Sequence, residues 1–142
     1  MNETKELKIK ASDQSMQAVN DFIHSMLPSS AVADEMLLNQ IDLAVEEIFV
    51  NIAHYSGSED AIVSCDYHIS GDGNGTLTVV FKDKGKPFNP LERADPDLSL
   101  SAEERSIGGL GIFLTKKFMD SVEYEFAGGM NCLTIKKTLL HG

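Results

Sequence analysis

The sequence predicts an α+β fold in which helices cover one face of a sheet. Five short runs alternate apolar and polar residues, which is typical of half-buried strands. Three other runs place apolar residues three and four positions apart, as amphipathic helices do. Glycine-rich turns join neighbouring strands into hairpins. The order β-α-α-β-β-loop-α-β-β therefore favours a two-layer α/β sandwich with a mixed, mostly antiparallel sheet.

The first half of the chain supplies one strand and two helices. Residues 7–11 alternate apolar residues with lysines, which predicts a strand, and Ser12 or Asp13 can cap the helix that follows. The apolar residues of this first helix are Met16, Val19, Phe22, Ile23 and Met26. Residues 28–30 are expected to end it. The second helix is predicted from about residue 34 to residue 54, with one apolar face toward the core.

The second half is predicted to contain two hairpins and one helix. In chain order these are strands at 61–69 and 77–81, a helix at about 109–119, and strands at 122–126 and 133–138. Between the hairpins, residues 84–108 show no periodicity and carry three prolines and many charges. A structureless stretch of that length inside a small domain is typical of a functional lid.

Length and composition limit the possible classes of protein. The 142 residues suit one domain with one core, and the net charge of −10 argues against a nucleic-acid partner. No apolar run approaches the roughly 20 residues of a membrane helix. The first ten residues alternate charged and apolar types, unlike a signal peptide. We therefore expect a cytoplasmic protein, with its two cysteines as free core thiols and without a zinc site.

The first candidate constellation is Glu47 and Asn51 on the second helix. Residues four apart share one face, so both fall at one edge of the apolar stripe, whereas Glu46 falls on the opposite flank. An amide oxygen can coordinate Mg²⁺, and a carboxylate can accept a proton from an attacking hydroxyl. A solvated helix face is the alternative for this pair taken alone.

The second constellation is Asp83, Gly85 and Pro87, which directly follow an apolar strand. A carboxylate at a strand end can accept a hydrogen bond from the exocyclic amine of adenine, and a glycine lets the backbone approach a flat base. A plain turn at the end of the strand is the alternative, because these residue types are common in turns.

The third constellation is the run Gly108-Gly109-Leu110-Gly111, which opens the third helix. Glycines at a helix N-terminus expose N–H groups to an anion. The run is not a dinucleotide fingerprint, since Leu114 stands where a third glycine is needed. A bare Gly-x-Gly is weak evidence of a site by itself.

Taken together and in this order, the three constellations resemble the GHKL ATPase superfamily, which has the Bergerat ATP-binding fold. The chain is most similar to the stand-alone anti-sigma-factor serine/threonine kinases, and the resemblance covers nearly all of it. The residues that match the N, G1 and G2 boxes of the superfamily are, respectively, Glu47 and Asn51; Asp83, Gly85 and Pro87; and Gly109 and Gly111.

This resemblance implies a role for each matching position. Asn51 would hold Mg²⁺, Asp83 would read adenine, and Glu47 would act as general base. Gly108 and Leu110 would bind ATP together with the matching glycines, and the lid would close over the nucleotide. Arg105 resembles an arginine that these kinases direct at the γ-phosphate.

The same resemblance implies a protein kinase that phosphorylates a small anti-sigma-factor antagonist and sequesters a sigma factor. It also suggests a homodimer. A non-catalytic ATP-sensing module that sequesters a partner is the main alternative, and Glu47 favours the kinase because binding alone needs no base. A histidine kinase catalytic domain is disfavoured, since no dimerisation helix with a phosphoacceptor histidine precedes the domain.

Overall fold

The structure, a computed structural model, describes residues 2–71, 73–92 and 109–139. These residues form a five-stranded sheet with helices packed on one face, which confirms the predicted α+β fold. The strands are β1 (Asn2–Lys10), β2 (Asp60–Ile69), β3 (Gly75–Asp83), β4 (Ser121–Ala127) and β5 (Met130–Leu139). The helices are α1 (Met16–Met26), α2 (Ser29–Val32), α3 (Glu35–Asn51) and α4 (Gly109–Phe118).

The strand order in the sheet is β1-β2-β3-β5-β4, so β5 lies between β3 and β4. All four pairings of these described strands are antiparallel, so the sheet is not mixed. The register pairs Asp83, the last residue of β3, with Asn131 near the start of β5. Two polar residues that are far apart in sequence thereby meet at one end of the sheet.

The core lies between the inward face of the sheet and the helices α1 and α3. Alternate strand residues point inward, and β3 follows this rule strictly from Gly75 to Asp83. The main buried residues of the strands are Val63, Cys65, Leu77, Val79, Phe81, Leu133 and Ile135. Those of the helices are Val19, Ile23, Ile41, Val45, Ile48 and Phe49. Asp83 continues the inward-facing set of β3 and is therefore buried despite its charge.

The long helix α3 has a defined start and an unusual end. Asp34 caps it, accepting a hydrogen bond of 3.1 Å from the Leu37 N–H. After Asn51 the chain continues in one wide π-helical turn, Ile52–Ser56, of the kind that often marks functional sites. The described helices include none that is long and apolar enough to cross a membrane.

The sequence did not predict the short helix α2. Residues 28–30 were expected only to end the first helix, but the chain turns back into helix at Ser29. Pro28 stands just before this turn, where a missing N–H removes no helical hydrogen bond. Ala31 of α2 is buried in the core, so packing explains why this single turn forms.

The hairpin between β4 and β5 turns on Gly128 and Gly129. Both have positive φ, 62° and 77°. A two-residue hairpin turn with both φ values positive matches the twist of the flanking strands, and glycine adopts it without steric cost. This confirms the predicted hairpin turn between the last two strands.

The two cysteines are free, but only one of them belongs to the core. Cys65 is buried on the inward face of β2, and this burial raises the pKa of its thiol to about 12. Cys132 is only half-buried, and its neighbours Asn131 and Leu133 face inward. It therefore lies on the opposite face of the sheet, which corrects the expectation of two core thiols.

Candidate functional site

A cleft opens between the end of α3 and the end of the sheet where β3 meets β5. Its apolar lining residues are Ile48, Ile52, Phe81, Phe88, Pro90 and Leu133. Its polar lining residues are Asn51, Ser56, Asp83, Tyr124 and Asn131. A mainly apolar cleft with a few convergent polar groups is typical of a small-molecule site.

Asp83 is the buried carboxylate of this cleft, with only 4% of its surface exposed. Its Oδ1 accepts two hydrogen bonds, one from the Gly85 N–H at 2.8 Å and one from Asn131 Nδ2 at 3.0 Å. Both bonds end on the same oxygen, and no described residue donates to Oδ2. Oδ2 is therefore the acceptor that Asp83 can offer to a ligand.

Gly85 is required by packing against the end of α3. A Cβ at this position would overlap the backbone oxygen of Ser56, in the last turn of the π helix. The sequence predicts a glycine here for a different reason, close approach to a flat base. Next to this contact, the Lys84 N–H donates to Ser58 Oγ at 3.3 Å. The loop that leaves β3 is thus held against the chain that leaves α3.

Asn51 is the last residue of α3, and its half-buried side chain lines the cleft with those of Ile48 and Ile52. The helix and the sheet therefore bring Asn51 and Asp83 to one cavity. In the sequence they are separated by two whole strands. The cavity combines an amide and a carboxylate within a mainly apolar lining.

Glu47 lies one turn before Asn51, beside the cleft and outside its lining. Its half-buried carboxylate rests against Gly111 in the first turn of α4, where any Cβ would overlap it. Glu46 is exposed instead, and its Oε1 accepts a bond of 3.2 Å from Asn20 Nδ2 of α1. The two glutamates thus face different helices, as the helical spacing predicts.

The structure does not bring every predicted site residue to the cleft. Pro87 is absent from the described lining, and Phe88 and Pro90 are present in its place. Arg105, Gly108 and the lid from residue 93 onward lie outside the described residues. Gly109 begins α4, which is the predicted start of the third helix.

Sequence reasoning missed Asn131, Ser56 and Tyr124 as lining residues. Asn131 carries one detectable signal, since it is a buried polar residue in the inward phase of an otherwise apolar strand. Its partners belong to β3 and β4, and strand pairing between distant segments cannot be read from spacing alone. Ser56 reaches the cleft through the π turn, which has no sequence signature here.

Comparison with known proteins identifies the family. The family model described as the histidine kinase-like ATPase domain matches residues 9–137, most of the chain. The chain belongs to this family. Its match includes Glu47 and Asn51 on α3, Asp83 at the end of β3, and Gly111 on α4.

Among the curated relatives, the serine-protein kinase RsbW of Listeria innocua serovar 6a is 30% identical over 105 residues. That match covers 70% of this chain and 65% of the relative. The anti-sigma F factor of Clostridium beijerinckii is 30% identical over 94 residues, covering 65% of this chain and 64% of that protein. The chain therefore spans just under two thirds of the length of these relatives.

A solved structure supports the same fold. The RsbU and RsbW domains of Rv1364c from Mycobacterium tuberculosis superpose with a TM-score of 0.59. The match covers 99% of this chain and 33% of that one, at 14% sequence identity. At this identity the likeness concerns the fold alone.

Proposed function

We propose that this chain binds Mg-ATP in the cleft and transfers the γ-phosphate to a serine or threonine of an anti-sigma-factor antagonist. A sigma factor would be its second partner, in the cytoplasm. One observation carries the proposal: Asp83 and Asn51, contributed by separate elements, line one mainly apolar cleft with Glu47 beside it. The relatives named as a serine-protein kinase and an anti-sigma factor support it.

The chemistry of the cleft lining suits the base of an adenine nucleotide. Asp83 Oδ2 is the open acceptor for the exocyclic amine, and a carboxylate makes a strong, charge-assisted hydrogen bond. Apolar side chains such as those of Ile52, Phe81 and Phe88 can cover the faces of the ring. In small-ligand sites, apolar side chains supply most of the affinity, and a few placed polar groups fix the orientation of the ligand.

The triphosphate needs positive partners in a chain with a net charge of −10. The first turn of α4, with Gly109 and Gly111, supplies backbone N–H groups and the positive end of a helix dipole. The amide oxygen of Asn51 fits Mg²⁺, which takes few protein oxygens together with phosphate and water. When bound, the cation neutralises phosphate charge. Gly108, Leu110 and Arg105 are further proposed contacts to the phosphates.

Glu47 is the proposed base for the transfer. The partner's hydroxyl oxygen would attack the γ-phosphorus, and the bond from that phosphorus to the bridging oxygen of ADP would break. The hydroxyl proton would pass to the Glu47 carboxylate. Phosphoryl transfer needs chiefly positioning and charge neutralisation, so this small set of groups suffices.

A second function, nucleotide-dependent sequestration of a partner without transfer, has one observation in its favour. The Glu47 carboxylate rests against Gly111 and does not line the cleft. A site that only binds ATP would not need the Glu47 carboxylate to move away from Gly111. The two functions share Asp83 and Asn51, so only a transfer measurement separates them.

The test is incubation of the chain with γ-labelled ATP, Mg²⁺ and a candidate antagonist protein. We expect label on a serine or threonine of the antagonist, and none when Asn51→Ala replaces the wild type. Binding of ATP by the wild type without any transfer would establish the sequestration module instead. Label on a histidine of either protein would contradict both functions.

A further inference from the structure

Asn131 forms the densest side-chain hydrogen-bond network of the cleft. It is buried at the start of β5, directly opposite Asp83 in the sheet register. Its Oδ1 accepts from the Phe88 N–H at 3.1 Å and from the Tyr124 hydroxyl. The amide oxygen thereby connects β4 to the loop that leaves β3.

The amide nitrogen of Asn131 faces three acceptors. Nδ2 donates to Asp83 Oδ1 at 3.0 Å and to the Lys86 backbone oxygen at 2.9 Å, with the Gly85 backbone oxygen at 3.4 Å. The NH₂ group has two hydrogens, so the two shorter contacts satisfy it. A flipped amide would direct its oxygen at a carboxylate and a carbonyl. The network therefore fixes the orientation of the amide.

We propose that Asn131 is the positioning residue that sets selectivity for adenine over guanine at this site. Through Nδ2 it holds Oδ1 of Asp83 and leaves Oδ2 as the acceptor offered to the base. Through Oδ1 and Nδ2 together it anchors residues 85–88. This inference rests on the proposed nucleotide-binding function and assigns a role to a residue that does not itself carry the chemistry.

The chemistry of the two bases explains why anchoring matters. Adenine presents an amine where guanine presents a carbonyl oxygen, which a fixed carboxylate oxygen repels. Guanine can satisfy a carboxylate through its N1–H and amino groups, but only after the base or the loop shifts. Asn131 resists that shift because it bonds the carboxylate and two backbone groups of the loop at once, the Lys86 oxygen and the Phe88 N–H. A site built around fixed polar partners rejects the wrong analogue strongly.

The sharpest test is Asn131→Asp, which keeps the shape of the side chain and turns its donor into an acceptor. Loss of a buried charge-assisted bond should weaken ATP binding roughly 10- to 100-fold, while GTP binding should change far less. The ratio of ATP to GTP affinity should also become pH-dependent. Two adjacent carboxylates can share one proton at low pH and repel each other once it is lost, so selectivity should fall as pH rises from about 5.5 to about 8.5.

The ratio of ATP to GTP affinity is the correct readout because both nucleotides carry the same phosphates. Protonation of the phosphates changes both affinities equally and cancels in the ratio. The titratable side chains that bond Asn131 directly are Asp83 from β3 and Tyr124 from β4, and the loop contributes backbone groups only. The control is Asn39→Asp, which makes the same charge change on an exposed residue of α3. In the wild type and in this control, the ratio of ATP to GTP affinity should not change with pH.

A nucleotide-free measurement keeps this inference separate from the proposed function. In the apo protein, amide hydrogen exchange of Phe88 should be slow in the wild type and at least about tenfold faster in Asn131→Leu, because the side-chain oxygen that accepts the Phe88 N–H is lost. If that variant does not fold, Tyr124→Phe frees the amide from one partner and should also speed exchange at Phe88. Unchanged Phe88 exchange in Asn131→Leu, or an ATP to GTP ratio in Asn131→Asp within twofold of the wild type at alkaline pH, would overturn the inference. If the wild type binds neither nucleotide, the proposed function is wrong. Hydrogen exchange at Phe88 would still show whether Asn131 anchors the loop.

Discussion

Replacing Glu47 by glutamine is expected to lower phosphate transfer by roughly 10²–10⁴, the usual worth of a positioned general base. The amide keeps the size of the side chain, including its contact with Gly111, and removes the carboxylate that accepts the proton. ATP affinity should therefore stay within a few fold of the wild-type value. A single-turnover assay with the antagonist measures the transfer rate, and nucleotide titrations measure the ATP affinity, so the two effects can be separated.

Glu46→Gln is the matched control for this variant. Glu46 is the adjacent glutamate on the same helix, but it is exposed and bonds Asn20 of α1. Its replacement should leave both transfer and binding nearly unchanged. A larger loss of transfer in Glu46→Gln than in Glu47→Gln would contradict the assignment of the base.

Asn51→Ala is expected to abolish the gain in ATP affinity that Mg²⁺ provides. Even outer-shell partners of a metal are worth about 10–100-fold in metal affinity, so removal of a direct ligand should cost at least about 100-fold. The phosphates would then lose the cation that neutralises their charge, in a chain that carries a net charge of −10. The gain is the ratio of two ATP affinities, one measured by titrating the protein with ATP in the presence of Mg²⁺ and one in the presence of a chelator.

The control for Asn51→Ala is Asn39→Ala, which removes an exposed asparagine from the same helix. It should keep the full enhancement by Mg²⁺. If Asn51→Ala also keeps that enhancement, the metal is held elsewhere and the proposed role of Asn51 is wrong.

Local spacing was enough to predict the fold class and to single out two polar residues that line the cleft, Asn51 and Asp83. Glu47 and Asn51 are four apart on one helix, so helical geometry alone places them on the same flank. Asp83 ends a strand with strict alternation, so its inward direction follows from the phase of Phe81. Gly111 opens a helix and was predicted to offer N–H groups to an anion; its close contact with the Glu47 carboxylate was not predicted.

The remaining parts of the site depend on contacts between distant segments. Asn131 reaches Asp83 because β5 inserts between β3 and β4, an order that no spacing in the sequence specifies. Ser56 contacts Gly85 because α3 ends in a π turn, which arises from packing and has no propensity signal. Cys132 was assigned to the core from its residue type alone, although the alternation of Leu133 and Ile135 places it on the opposite face.

The central claim is that this cleft binds Mg-ATP through Asp83, and calorimetric titration with ATP and with GTP tests it most directly. The wild type should bind ATP and discriminate clearly against GTP. Asp83→Asn, which removes the charge of the acceptor, should weaken ATP by roughly 10- to 100-fold and affect GTP much less. No binding of ATP by the wild type, or equal affinity for the two nucleotides, would contradict the claim.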